Sequence, residues 1–121
     1  MIKHLKNAGG IASADLADWG PVAEPLGPVI AKLRGQSLTG EGVTGDGEPE
    51  TGIWECSPGK WRRQVKKAEF TYFLAGRCTF IADDGQTIEI SAGDALYWPA
   101  NSMGVWDVHQ TVRKAFILLP D

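Results

Sequence analysis

From Gly52 to the C-terminus, turn residues cut the chain into short apolar stretches, and this rhythm constrains the fold more than any other feature. "GIWECS" stops at Pro58-Gly59 and "KWRRQV" follows. "EFTYFLA" stops at Gly76, "RCTFIA" at Asp84-Gly85, and "QTIEI" at Ala92-Gly93-Asp94. "ALYWP", "GVWDV" and "TVRKAFILL" complete the run. Each stretch is short for a helix and rich in β-branched and aromatic residues, and the intervening Gly, Pro and Asp dipeptides are turn formers. Asp84-Gly85 in particular reads as a tight hairpin. Eight such strands with no long helix predict an all-β chain, folded as a sandwich, jelly roll or closed barrel.

The first part of the chain is less regular. "SADLADW", residues 13–19, reads as one helical turn with Ser13 as N-cap, ended by Gly20-Pro21. "PVIAKL", residues 28–33, reads as a strand. "TGEGVTGDGEPETG", residues 39–52, has almost nothing to bury and reads as a solvated loop; the spacing of its Asp46 and Glu48 is not that of a calcium-binding EF-hand loop. Residues 1–50 are therefore expected to form an arm and loop belonging to the same domain as a barrel core spanning 51–121. The full chain of 121 residues, 43% of them hydrophobic, suffices for one domain with a core.

Charge and cysteine usage narrow the function classes. A net charge of −3 argues against a nucleic-acid partner, which calls for a basic excess. No apolar run reaches the length of a signal peptide or a membrane span, so no membrane partner is expected and the expected location is the cytoplasm. Cys56 and Cys78 are expected as buried, reduced thiols. Period-two geometry sets Glu69, Thr71 and Phe73 on one face of a strand and Phe70, Tyr72 and Leu74 on the other. Both faces are partly apolar, so one is expected to face the interior. The other needs a second sheet, the N-terminal arm or a partner subunit.

Two spaced motifs carry a resemblance. In "EFTYFLAGRCTF", Glu69 is followed after six residues by Gly76; in "AGDALYWPANSMGVW", Gly93-Asp94 is followed by Pro99. This order and spacing resembles the cupin superfamily. "GIWECSPGKWRR" and "VRKAFILL" are further similar to the cupin-3 group, including the cupin domains of (S)-ureidoglycine aminohydrolase, and "ADLADWG" is a weaker echo. The resemblance runs from about Gly52 to Leu119 and implies a small jelly-roll β-barrel, commonly a homodimer, with any site inside the barrel.

The departures from the family pattern matter for function. The resemblance implies two histidines ahead of Glu69, at 63 and 65 or at 62 and 64, where this chain has Arg63 and Val65, or Arg62 and Gln64. The last implied ligand falls on Gly104, so of four ligand positions only Glu69 keeps a ligand. The two histidines, His4 and His109, lie outside both motifs. One carboxylate without imidazole is a poor site for transition metals, so neither a metal nor another cofactor is expected.

The candidate lining of the interior is Glu69, Trp106, Tyr97, Arg62 and Lys114. Trp106 and Tyr97 read equally as core aromatics. "KWRRQVKK" reads as a solvated edge strand, or as one that turns Arg62 or Arg63 inward to pair with Glu69 or an anionic ligand. "TVRKAFILL" offers either Lys114, Phe116 and Leu118 or Arg113, Ala115 and Ile117 to the interior. Glu69 is expected to point inward, held by Arg62, Lys114 or Tyr97, because an unpaired buried carboxylate is costly. Three functions follow: a metal-free barrel that binds a small polar metabolite, a metal-dependent enzyme related to ureidoglycine aminohydrolase, or a non-catalytic interaction module with a filled core.

Overall fold

The computed structural model describes residues 1–40 and 48–120. The centre of the acidic loop, including Asp46, lies outside the described residues. Among the described residues eight strands are formed: β1 (Ala17–Pro21), β2 (Lys32–Thr39), β3 (Glu50–Cys56), β4 (Gly59–Arg62), β5 (Glu69–Ala82), β6 (Thr87–Ser91), β7 (Ala95–Trp98) and β8 (Gly104–Leu118). They form one antiparallel sheet in the order β1-β2-β3-β8-β5-β6, with β4 added on β8 and β7 on β5. Among the described residues, no helix is long and apolar enough to cross a membrane.

Two long strands organise this jelly roll. β5 and β8 pair along their whole length, from Glu69 opposite Leu118 to Ala82 opposite Gly104. At one end β3 and β7 flank this pair; at the other, β4 and β6 do so. The change of partners is made by a series of bulges between Phe73 and Cys78, which bend the strands and let the sheet curl on itself. Gly76 sits at that corner with φ +86°, and a Cβ there would stand 2.1 Å from the Thr111 carbonyl oxygen.

Several expected boundaries need correction. Gly76 is a bulge rather than a stop, so "EFTYFLA" and "RCTFIA" are one strand. "GVWDV" and "TVRKAFILL" are likewise continuous as β8, because His109, Gln110 and Thr111 form an exposed stretch within the strand. These mergers leave six strands downstream of the acidic loop; β1 and β2 restore the total to eight. The strand expected at 28–33 starts only at Lys32 and runs to Thr39. The helical turn shrinks to a 3₁₀ turn at Ser13–Asp15, and Trp19, Gly20 and Pro21 belong to β1. Ser13 does not cap this turn; its Oγ donates to Glu55 Oε1 at 3.0 Å.

That contact belongs to a latch beneath the N-terminal segment. Arg113 donates from Nε and Nη2 to Glu55 Oε1 at 3.1 and 2.7 Å, and from Nη1 to the Ala8 and Gly9 carbonyls at 3.2 and 3.4 Å. Glu55 and Arg113 are buried, so charged groups are matched under the arm as their burial requires. On the β5 face expected to need cover, Phe70 and Tyr72 are 45% exposed.

Candidate functional site

Strand parity decides what reaches the barrel interior. Glu69, Thr71 and Phe73 alternate inward on β5 and are buried. On β8 the inward set is Trp106, Val108, Val112, Lys114 and Phe116. On β4, Trp61 is buried and Arg62 turns away from the interior. The chain continues past β4 with the Arg63 N–H donating to the Gly104 carbonyl at 2.9 Å, which keeps the alternation and sends the Arg63 side chain inward.

Glu69, Lys114 and Arg63 meet there. Lys114 Nζ lies 3.1 Å from Glu69 Oε2, and Arg63 Nη2 lies 2.9 Å from Glu69 Oε1. Arg63 is fixed further by donating from Nη1 to the carbonyls of Val65 at 2.7 Å and Ser102 at 2.8 Å. Its guanidinium lies 4.9 Å from the centre of the Trp98 ring. Trp98 is itself anchored, donating from Nε1 to Thr71 Oγ1 at 3.0 Å. Burial pushes the pKa values of both Lys114 and Arg63 below their ordinary ranges, against the opposing pull of Glu69. Two buried cations thus share one carboxylate, and a second carboxylate, that of Glu50, lines the adjoining cavity.

Aromatic rings surround the ammonium. Lys114 Nζ lies 4.3 Å from the Trp54 ring centre and 5.3 Å from that of Trp106. Trp54, Trp61 and Trp106 pack with ring centres 5.8–6.3 Å apart. Together with Trp19 from β1 they line a cavity of about 370 Å³ that also borders Glu69, Arg63, Lys114 and Phe116. Four of the five tryptophans therefore converge on one space. The Trp61 indole Nε1 has no hydrogen-bond partner among the described residues. It approaches the Cys56 thiol closely enough to favour the thiolate slightly, but burial dominates and pushes that thiol up to about 12.

Of the residues expected in the interior, Glu69, Trp106 and Lys114 line this cavity. Arg62 and Tyr97 do not. Arg62 makes a two-pronged surface pair with Asp83 at 2.9 and 2.8 Å. Tyr97 is 62% exposed, lying opposite Phe70 on the outer face because its neighbour Trp98 takes the inward position. Arg63 fills the role offered to Arg62, and the buried Trp61 two residues earlier was the signal for it. His109 lies within β8, its Nε2 2.8 Å from Thr79 Oγ1 and its Nδ1 3.9 Å from Asp107 Oδ1, but none of these residues lines the tryptophan cavity.

The residues present do not fit the family's metal. Both oxygens of Glu69 are taken by cations. A side chain at Gly104 would collide with its surroundings, since a Cβ would stand 2.4 Å from the Ile81 carbonyl oxygen and 2.7 Å from Phe80 Cζ. Among the described residues, no three His, Cys, Asp or Glu side chains are grouped to hold a metal ion.

Comparison with known proteins agrees with this architecture. The chain is similar to EutQ of Clostridium difficile (18% identity, TM-score 0.62, covering 74% of this chain and 69% of that one). It is also similar to a DUF861-family protein of Thermotoga maritima (28% identity, TM-score 0.54, 55% and 76% covered). A DUF861-family protein of unknown function from Pseudomonas syringae shares the fold at 19% identity and TM-score 0.71, covering 85% of this chain and 43% of that one. No curated protein matches the chain. Residues 43–116, well over half the chain, match the EutQ-like cupin domain, and the protein belongs to that cupin family.

Proposed function

We propose that this cupin domain binds a small organic molecule through a carbonyl or carboxylate oxygen, using Lys114 in place of a metal. One observation carries the reading: the Lys114 ammonium borders an aromatic cavity, has Glu69 Oε2 as its single hydrogen-bond acceptor among the described residues, and shares that carboxylate with Arg63. An ammonium has three N–H donors. A ligand oxygen in the cavity would supply a second acceptor. The tryptophan walls would hold a short apolar body, and about 370 Å³ is within the range of small-molecule sites. A metal-dependent release of ammonia of the ureidoglycine aminohydrolase kind finds no donor set among the described residues.

The test is calorimetry and thermal shift against small carboxylates, aldehydes, ketones, amines and alcohols. Carboxylates or carbonyl compounds should bind, and at a hundredfold excess over Kd should stabilise the fold by about 2.7 kcal/mol. The response should vanish in Lys114→Met. Binding of amines alone, or no response from any class, would overturn the reading.

A further inference from the structure

We propose that Lys114 captures a small aldehyde as an imine inside the barrel, with Glu69 moving the protons. The inference rests on the cavity being a ligand site and names the reactive class of its ligand. Its basis is the placement of three groups. Lys114 Nζ borders the cavity, between the Trp54 and Trp106 faces. Glu69 Oε2 stands 3.1 Å from it, within proton-transfer distance. Arg63, itself pinned by two backbone carbonyls, holds the other Glu69 oxygen and so fixes the direction of the first.

The step balances without any further reagent. The ammonium gives a proton to Glu69 Oε2, and the free amine forms a C–N bond with the carbonyl carbon. The carbonyl oxygen takes the proton held by Glu69, giving a carbinolamine that is still protonated on nitrogen and keeps the positive charge. Glu69 then accepts a proton from the nitrogen and returns it to the departing hydroxyl, so the C–O bond breaks and water leaves. Ammonium plus aldehyde becomes iminium plus water, and Glu69 ends as it began. The iminium keeps the positive charge at nearly the same place, so the carboxylate and both indole faces stabilise the product as they do the starting ammonium. Burial also lowers the affinity of Lys114 for its proton, which favours the free amine a nucleophile needs.

Among the other lysines, Lys3, Lys6, Lys32, Lys60 and Lys66 are exposed, and Lys67 borders none of the cavities described. These lysines form an internal control. Wild-type protein is treated at neutral pH with millimolar propanal and cyanoborohydride, whose hydride reduces the iminium to a stable secondary amine, and is then peptide-mapped by mass spectrometry. One propyl group is expected on Lys114, appearing about tenfold faster than on any other lysine. Glu69→Gln should slow it, and Lys114→Arg should remove it. Because the mapping is done on wild type, it does not depend on either variant folding.

Labelling confined to the other lysines would overturn the imine. Calorimetry on the same preparation separates the two ideas. Carboxylate binding without a Lys114 adduct overturns the imine alone, and the absence of both overturns the site as well.

Discussion

Replacing Glu69 by Gln tests the charge cluster most directly. The change keeps the size of the side chain and removes the anion between two buried cations. Glu69 is 4% exposed, Arg63 1% and Lys114 4%, so water cannot substitute for the lost charge. Breaking a buried ion pair from one side costs about 3–5 kcal/mol. At roughly 3–6 °C per kcal/mol for a domain of this size, the melting point should fall by about 9–30 °C. The loss should also depend on pH in a defined direction. Burial lowers the Lys114 pKa and Glu69 holds it up; without the carboxylate it falls further. Between that lowered folded value and the ordinary lysine range near ~10.4, the unfolded chain binds one more proton than the folded chain, so stability rises with pH across the window. The Glu69→Gln deficit should therefore shrink as pH rises from the folded Lys114 pKa of the variant to the higher one of the wild type, where the variant alone has given up the Lys114 proton, while Arg63 stays charged. Differential scanning calorimetry of both proteins across that range measures it. A deficit below about 1 kcal/mol, or one that does not change with pH, would refute the account of two desolvated cations held by one carboxylate.

Lys114→Met should melt at or above the wild-type temperature, since Arg63 still pairs with Glu69 and a desolvated charge is gone; calorimetry checks it. Burial pushes the thiols of Cys56 and Cys78 up to about 12, so neither should react with a disulfide reagent at about pH 8 until the chain unfolds. Thr71→Val leaves the buried Trp98 indole N–H without its acceptor and should cost about 1–3 kcal/mol in a denaturant melt. Phe70, Tyr97 and Ile117 are direct cross-strand neighbours on the outer face, each at least 40% exposed. We propose that this apolar row meets a second copy of the chain; light scattering should show a dimer at tens of micromolar, roughly the range for a modest interface, and a monomer after Phe70→Ser.

The β-barrel was legible because Asp84-Gly85 and Gly93-Asp94 do end strands as their backbone preferences dictate. Gly76 has the same preference, but there it serves a bulge within a continuous ladder. A sequence shows that a residue favours positive φ, and not whether the partner strand continues past it. β2 was misplaced for a related reason. "LRGQSL" has no clean alternation, and the strand forms through its backbone ladder to β3, with Gly35 accommodating the Trp19 ring. At the site, the family spacing placed Glu69 and offered Lys114 as a partner, and the pair is there. The choice of Arg63 over Arg62 could have been made from the residues themselves, since Trp61 and Arg63 share a parity. What could not be read was convergence: Trp19, Trp54, Trp61 and Trp106 come from four strands distant in the chain.

A second cation on a carboxylate that already has one is what argues that this cavity has a use. An Arg63–Glu69 pair alone would be neutral, and would satisfy the carboxylate whose position the fold supplies. Lys114 adds a second cation to a carboxylate that already has one, at the full cost of burial. An apolar side chain at that place would pack against the same tryptophans without the desolvation. If Lys114 were only a packing device, Lys114→Met would be an improvement without loss. If Lys114 holds a ligand oxygen, the same variant gains stability and loses binding together, which is the exchange expected where a strained group is kept for function. Stability and binding measured on that one variant therefore separate a filled core from a working site.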